Sequence, residues 1–142
     1  MHAQIQQYRI MKRIFLLILV TLSFTVFAQK ADFDKAITKL MYAKKGMLTV
    51  ENIGKDLVRN IPKEKVAKFN QELEVLRNNF KKTAIQEFKR KYSTADIQNI
   101  YTEFTSDKVN YSDKTNNFFS FFRHLKGQFY ADAKRLYAKY SM

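Results

Sequence analysis

The chain has 142 residues, with 26 Lys and Arg against 13 Asp and Glu, a formal net charge of +13. It contains no Cys, no Trp, three Gly, one Pro, 13 Phe and 8 Tyr. The missing cysteines exclude disulfides, thiolate metal sites, a cysteine nucleophile and a lipidated cysteine, and so few Gly and Pro speak against a turn-rich β-sandwich or a glycine-rich phosphate loop.

Residues 11–28 read MKRIFLLILVTLSFTVFA. Lys12 and Arg13 precede an apolar run broken only by Thr21, Ser23 and Thr25, and Val26 and Ala28 put small residues where a signal peptidase reads. That order predicts a secretory signal peptide, cleaved after Ala28. The run from Ile14 to Phe27 is 14 residues, short of the roughly 20 that span a bilayer. Residues 1–10 are polar and precede the cationic pair; they are either an upstream misreading, with Met11 as the true start, or an extended n-region. Residues 29–142 then form a single helical domain of 114 residues with a net charge of +10. A domain of that size can hold a core without covalent staples.

From Ala31 to Lys45 the apolar positions are Phe33, Ile37, Leu40 and Met41, one stripe of an amphipathic helix. Gly46, following Lys44 and Lys45, reads as a helix stop. Thr49 is placed to N-cap a second helix carrying Val50, Ile53, Leu57 and Val58, which ends before Pro62. Val66, Phe69, Leu73, Leu76 and Phe80 then follow a heptad-like seam. Beyond Phe80 the phase slips, and Ala84 bridges it to Phe88 and Tyr92. With no Gly or Pro to punctuate it, residues 63–92 are expected to be one long helix rather than two.

Ser93 with Asp96 has the spacing of a capping box and starts a short helix bearing Ile97, Ile100, Tyr101 and Phe104. A polar stretch from Thr105 to Asn117 follows. The last helix carries Phe118, Phe122, Leu125, Phe129, Ala133, Leu136 and Tyr140 in one stripe, widened by Phe119, Phe121, Tyr130 and Tyr137. So broad an apolar surface predicts a central helix packed on two sides. The expected fold class is all-α, a small bundle of about five helices following the signal peptide.

The run from Tyr92 to Tyr111, YSTADIQNIYTEFTSDKVNY, resembles the core motif of the exported bacterial domain-of-unknown-function family 2059. Tyr92 matches the motif's aromatic, Thr94 its cap, Asp96-Ile97 its acid–aliphatic pair and Ile100 its apolar turn. Phe104 matches the second aromatic and Ser106 the serine. Glu103 stands where the family has its first aromatic, and Asp107 and Val109 where it has a proline and a glycine. The resemblance covers residues 33–140. It implies a small helical domain outside the cytoplasm and no established activity.

Little in the sequence carries chemistry. His124 is the one histidine after residue 28, which excludes an imidazole–thiolate metal site within one chain. Ser120 lies one turn away, but no nucleophile elbow or oxyanion loop accompanies it. The pairs Glu72/Glu74 and Asp32/Asp34 are two apart and do not share a helix face. Glu103 and Asp107 are four apart and read as solvated charge at a helix end. Asp107 and Asp113 lack the spacing of a calcium loop. Neither a catalytic residue, a cofactor nor a metal is expected, and the chain reads as a non-enzyme.

Two surfaces remain as candidates. Lys81, Lys82, Lys89, Arg90 and Lys91 cluster in the third helix and could attract anionic lipid, lipopolysaccharide or acidic polysaccharide. No nucleic-acid motif accompanies them. Phe118, Phe119, Phe121 and Phe122 cannot all face one core, because neighbouring residues on a helix diverge by about 100°. Either two helices cover them or part of them is an exposed patch that binds a partner. The sequence therefore reads as a periplasmic or secreted interaction module of the cell envelope, binding an envelope protein or itself through the aromatic helix. The alternative is a basic protein associating with a polyanion or membrane surface.

Overall fold

A computed structural model describes Met11 and residues 32–142; residues 1–10 and the expected signal peptide and cleavage site lie outside the described residues. The chain divides into two compact units, Met1–Lys35 and Ala36–Met142. Helical residues 32–42 (α1) lead to a 3-10 turn, Ala43–Lys45, then α2 (Leu48–Leu57), a second 3-10 turn (Val58–Asn60), α3 (Lys63–Lys91), α4 (Thr94–Thr105) and α5 (Asp113–Ser141). There is no strand among the described residues. The fold is an all-α bundle, with residues 63–91 forming one uninterrupted helix in which Ala84, 1% exposed, carries the seam across its phase slip.

The second unit is built on the pairing of α3 with α5. Phe88 stacks on Phe118 at 4.3 Å between ring centroids, Phe80 meets Phe129 at 5.2 Å, and Phe69 meets Tyr140 edge-on at 5.9 Å. Partners advance along α5 as they recede along α3, so the helices run antiparallel. Each fully buried phenylalanine contributes about 1.5–3 kcal/mol, which makes this seam the main source of cohesion in a chain without cross-links.

α2 lies against this pair. A Cβ at Gly54 would come 2.8 Å from Leu73 Cδ2, so α2 approaches α3 as closely as glycine permits. Arg77 of α3 holds it there, donating from Nε to the Val50 carbonyl and from Nη2 to the Glu51 carbonyl, both at 3.2 Å. On α5, the Tyr130 hydroxyl donates to Thr49 Oγ1. The expected role of Thr49 is thereby corrected. α2 starts two residues earlier, with Met47 in the cap position and no side-chain cap, and the Thr49 hydroxyl accepts from Tyr130 of α5.

Ser93 and Asp96 form the capping box at the start of α4: Ser93 Oγ accepts from Asp96 N at 3.1 Å, and Asp96 Oδ2 accepts from Ser93 N at 3.0 Å. α5 begins inside the stretch expected to be polar connection, because Ser112 caps it by accepting from Thr115 N.

Gly46 ends the turn at the α1–α2 corner as expected, as its C-cap, but without the left-handed backbone usual for such a glycine. Gly46 has right-handed angles, φ −56° and ψ −29°, while Lys44 and Lys45 take positive φ, 47° and 62°. The left-handed conformation disfavours side chains by roughly 1–2 kcal/mol per residue. Glycine is needed at 46 for space: a Cβ would overlap the Met41 carbonyl oxygen and sit 3.4 Å from Phe122 Cε1. Gly127, on the exposed side of α5, has nothing within 4 Å of such a Cβ. Gly46→Ala is therefore expected to lower unfolding free energy by about 1–3 kcal/mol. Gly127→Ala should raise it by about 0.5–1 kcal/mol through helix propensity. Urea unfolding followed by circular dichroism checks both.

Candidate functional site

The aromatic segment of α5 is covered from two sides. Phe118 and Phe122 are 0% and 2% exposed, which removes both from any exposed partner-binding patch: each packs against Phe88 of α3. Phe119, half-buried, lies 4.1 Å from Phe104 of α4 between centroids. Phe121, also half-buried, meets Phe88 edge-on at 5.7 Å, and the Lys91 ammonium sits 4.2 Å from its ring centre. Of the two arrangements the spacing allowed, coverage by neighbouring helices is the one realised, for α3 takes one flank and α4 the other.

The cations of α3 do not converge. At about 100° per residue, Lys81, Lys82, Arg90 and Lys91 fan around most of the helix circumference, and only Lys82 and Lys89 share a line. Lys81 reaches over the Tyr42 ring at 5.7 Å, Lys91 covers Phe121, and Arg90 pairs with Glu87 at 3.1 Å. They present no single basic face.

A denser arrangement lies at the α1–α2 corner. Lys44 Nζ donates to the Tyr111 hydroxyl at 3.3 Å and stands 4.6 Å from the centre of Phe104. Lys126 of α5 donates to the Gly46 carbonyl at 3.1 Å and lies 4.8 Å above Phe122. Burial pushes the Lys126 ammonium below its usual range, and the charge of nearby Arg123 pushes in the same direction. None of the ion pairs among the described residues involves Lys44, Lys45, Arg123 or Lys126. Lys44 and Lys45 are legible in the sequence only as a basic helix terminus. Nothing local there signals that Lys126, some 80 positions on, closes over the same turn.

The carboxylates serve structure. Glu103 accepts from Ser112 N at 2.6 Å, from Ser112 Oγ at 2.7 Å and from Thr115 Oγ1. It therefore ties the end of α4 to the first turn of α5 and is no solvated charge. Thr115 is fully buried, and the carboxylate is its required partner. These hydroxyls hold the Glu103 carboxyl below its ordinary pKa. Asp107 is exposed and shares none of these bonds. Asp96 binds Lys114 at 2.6 Å in addition to its cap, and the two together lower its carboxyl to about 2. Glu72 accepts from Lys139 at 2.8 Å and from the Tyr140 hydroxyl, joining α3 to the end of α5. His124 is exposed, its ring 6.5 Å from Phe121, with Nε2 at 3.2 Å from Gln128 Nε2. Among the described residues no three His, Asp or Glu side chains are grouped to hold a metal ion.

Two of the open clefts among the described residues lie between helices. One of about 290 Å³ runs between α3 and α5, beside Val75, Leu76 and Leu136. The other, about 450 Å³, lies between α1 and α4, where Lys39 stands 4.5 Å from the centre of Tyr101. No helix among the described residues is long and apolar enough to cross a membrane. Comparison with protein-family models, with curated proteins and with solved structures finds no match.

The carboxylate contacts give stability a sign in pH. A carboxyl whose folded pKa is depressed stabilises the fold above its unfolded pKa, and that contribution disappears as pH falls through the folded value. Glu72 and Glu103 are lowered from 4.5, and Asp96 from 3.8 to about 2. The thermal midpoint is expected to fall as pH drops below the ordinary carboxylate range, the Asp96 part persisting to about 2. Asp96→Asn should lower the midpoint at neutral pH, and its gap from the unsubstituted protein should narrow on acidification. Thermal melts at stepped pH measure both.

Proposed function

We propose that this chain is a non-catalytic, exported helical module of the cell envelope whose working surface is cationic and engages an anionic envelope component. The observation carrying this reading is how the two candidate surfaces fare on folding. The aromatic residues that would have met a protein partner are packed between α3, α4 and α5. The cations remain at the surface in excess. Residues 32–142 hold 22 Lys and Arg against 13 Asp and Glu, and several of those acids are already committed to caps and helix–helix links. A surface with this imbalance attracts anionic lipid headgroups, lipopolysaccharide or acidic polysaccharide, and the attraction weakens as salt screens it.

Export rests on the pattern in residues 11–28, and the resemblance of residues 92–111 to the exported family 2059 points the same way. The non-catalytic reading is supported by the use of Glu103, Asp96 and Glu72 in holding helices together.

Two measurements test the proposal. Mass spectrometry of protein recovered from outside the cytoplasm should find Gln29 as the first residue; a retained leader or a cytoplasmic location contradicts export. Binding to phosphatidylglycerol vesicles and to lipopolysaccharide should be detectable at low ionic strength and fall steeply with added salt. Absence of binding to either at low salt contradicts the cationic surface.

A further inference from the structure

We propose that the corner between α1 and α2 is the part of this surface that docks on an anionic lipid membrane, with Tyr42 and Leu48 as apolar tips and Lys44, Lys45, Arg123 and Lys126 as the surrounding charge. This deepens the cationic reading above and rests on it.

Three independent features meet at the corner. The first is the backbone. Lys44 and Lys45 both sit at positive φ, 47° and 62°, beside a glycine that is right-handed. Glycine or asparagine would occupy a left-handed position with little strain. Two lysines held there keep their side chains at the tip of the turn at a backbone cost, and such strain persists where the surrounding structure enforces it and a functional site uses it. The enforcement is visible: Gly46 N donates to the Ala43 carbonyl at 3.0 Å, Lys126 clamps the Gly46 carbonyl, and Phe122 lies directly beneath.

The second feature is charge without local compensation. Arg77, Arg90, Lys114, Arg135 and Lys139 are each paired with an acid, whereas no ion pair among the described residues includes a cation of the corner. Burial is the main reason the Lys126 ammonium lies below its usual range, and the charge of nearby Arg123 pushes the same way. Aromatic rings and a backbone carbonyl hold Lys44 and Lys126 in place and leave their charge unneutralised.

The third feature separates a membrane from a dissolved polyanion. Tyr42 is 38% exposed and Leu48 45% exposed, on either side of the basic turn. Val75, Val109 and Met142 of the second unit are more exposed still, but none of them belongs to the segment that joins α1 to α2. Tyrosine and leucine flanked by lysine form the composition of an interfacial contact: the rings and aliphatic groups enter the headgroup–acyl boundary while the ammonium groups meet phosphate. Each such cation near an anionic surface strengthens binding about fivefold, so a few in one place give reversible attachment without a spanning helix.

The test uses the protein recovered after export, with vesicles of phosphatidylcholine containing about one-third phosphatidylglycerol, pure phosphatidylcholine vesicles, and heparin as a soluble polyanion. Every variant keeps the same N-terminal residues, so their contribution cancels between variants. Lys45→Gly combined with Arg123→Gln should weaken binding to the anionic vesicles about tenfold or more, while the thermal midpoint holds or rises because a left-handed strain is relieved. A merely structural role for Lys45 would lower the midpoint and leave binding intact. Leu48→Ser should weaken vesicle binding and leave heparin binding unchanged. Lys82→Gln with Arg90→Gln, on the outer side of α3, should lower vesicle binding less than twofold.

Equal or greater loss from the α3 variants, or wild-type binding by the corner variants, overturns the corner as the docking surface and leaves the cationic reading standing. Equal loss of heparin and vesicle binding in Leu48→Ser overturns the membrane as the partner. Failure of the unsubstituted protein to bind anionic vesicles or heparin overturns both this proposal and the reading beneath it.

Discussion

The aromatic seam between α3 and α5 is the constraint from which the rest of the second unit follows. Phe88 alone contacts Phe118, Phe121, Phe122 and Tyr92, and in a chain without cysteine no disulfide relieves the seam of its task. Because these rings lie on the faces that join the two helices, the aromatic content that first suggests a binding surface is consumed in cohesion. The side chains widening the stripe, Phe119 and Phe121, fall on opposite flanks of α5. Each therefore draws a neighbour toward it, α4 through Phe104 and α3 through Phe88 and Lys91.

Charge is arranged around that seam in a way set by the shortage of acids. Asp96, Glu103 and Glu72 each fasten two elements: Lys114 at the start of α5 to the cap of α4, the end of α4 to the cap of α5, and α3 to the end of α5. Several cations that have no ion pair lie over ring faces instead. Lys39, Lys44, Lys81, Lys91 and Lys126 cover Tyr101, Phe104, Tyr42, Phe121 and Phe122 respectively. Such contacts shield ring edges from water while leaving the charge available, and exposed ones contribute about 0.5–1 kcal/mol each. A strongly basic domain can in this way be tied together and still present net positive potential.

Helix positions were legible in the sequence wherever one periodicity dominated. The continuous α3 follows from Ala84 bridging Phe80 and Phe88, and the start of α4 from the Ser93–Asp96 spacing. The errors fall where a tertiary contact outweighs a local signal. Thr49 looks like a cap but gives its hydroxyl to Tyr130, eighty-one positions away. Gly46 does stop the turn, as its C-cap, but what requires glycine there is space for the Met41 carbonyl and Phe122, and the positive φ falls on Lys44 and Lys45 instead. Glu103 looks solvated because its partners, Ser112 and Thr115, come after a loop. The cations of the corner are drawn from the 3-10 turn after α1 and from α5, so no linear window contains them. A run of basic residues within one helix is easier to see than to use, since helical geometry spreads it around the axis.

If the seam is the core, the functional surface has to be sought among the cations. The most direct measurement of that premise is the equilibrium unfolding free energy of Phe118→Ala. Phe118 is fully buried between Phe88, Tyr92, Phe119 and Phe122, so truncation should cost about 3–5 kcal/mol. A variant as stable as the unsubstituted protein, but deficient in binding a protein partner, would contradict this account and return α5 to the surface.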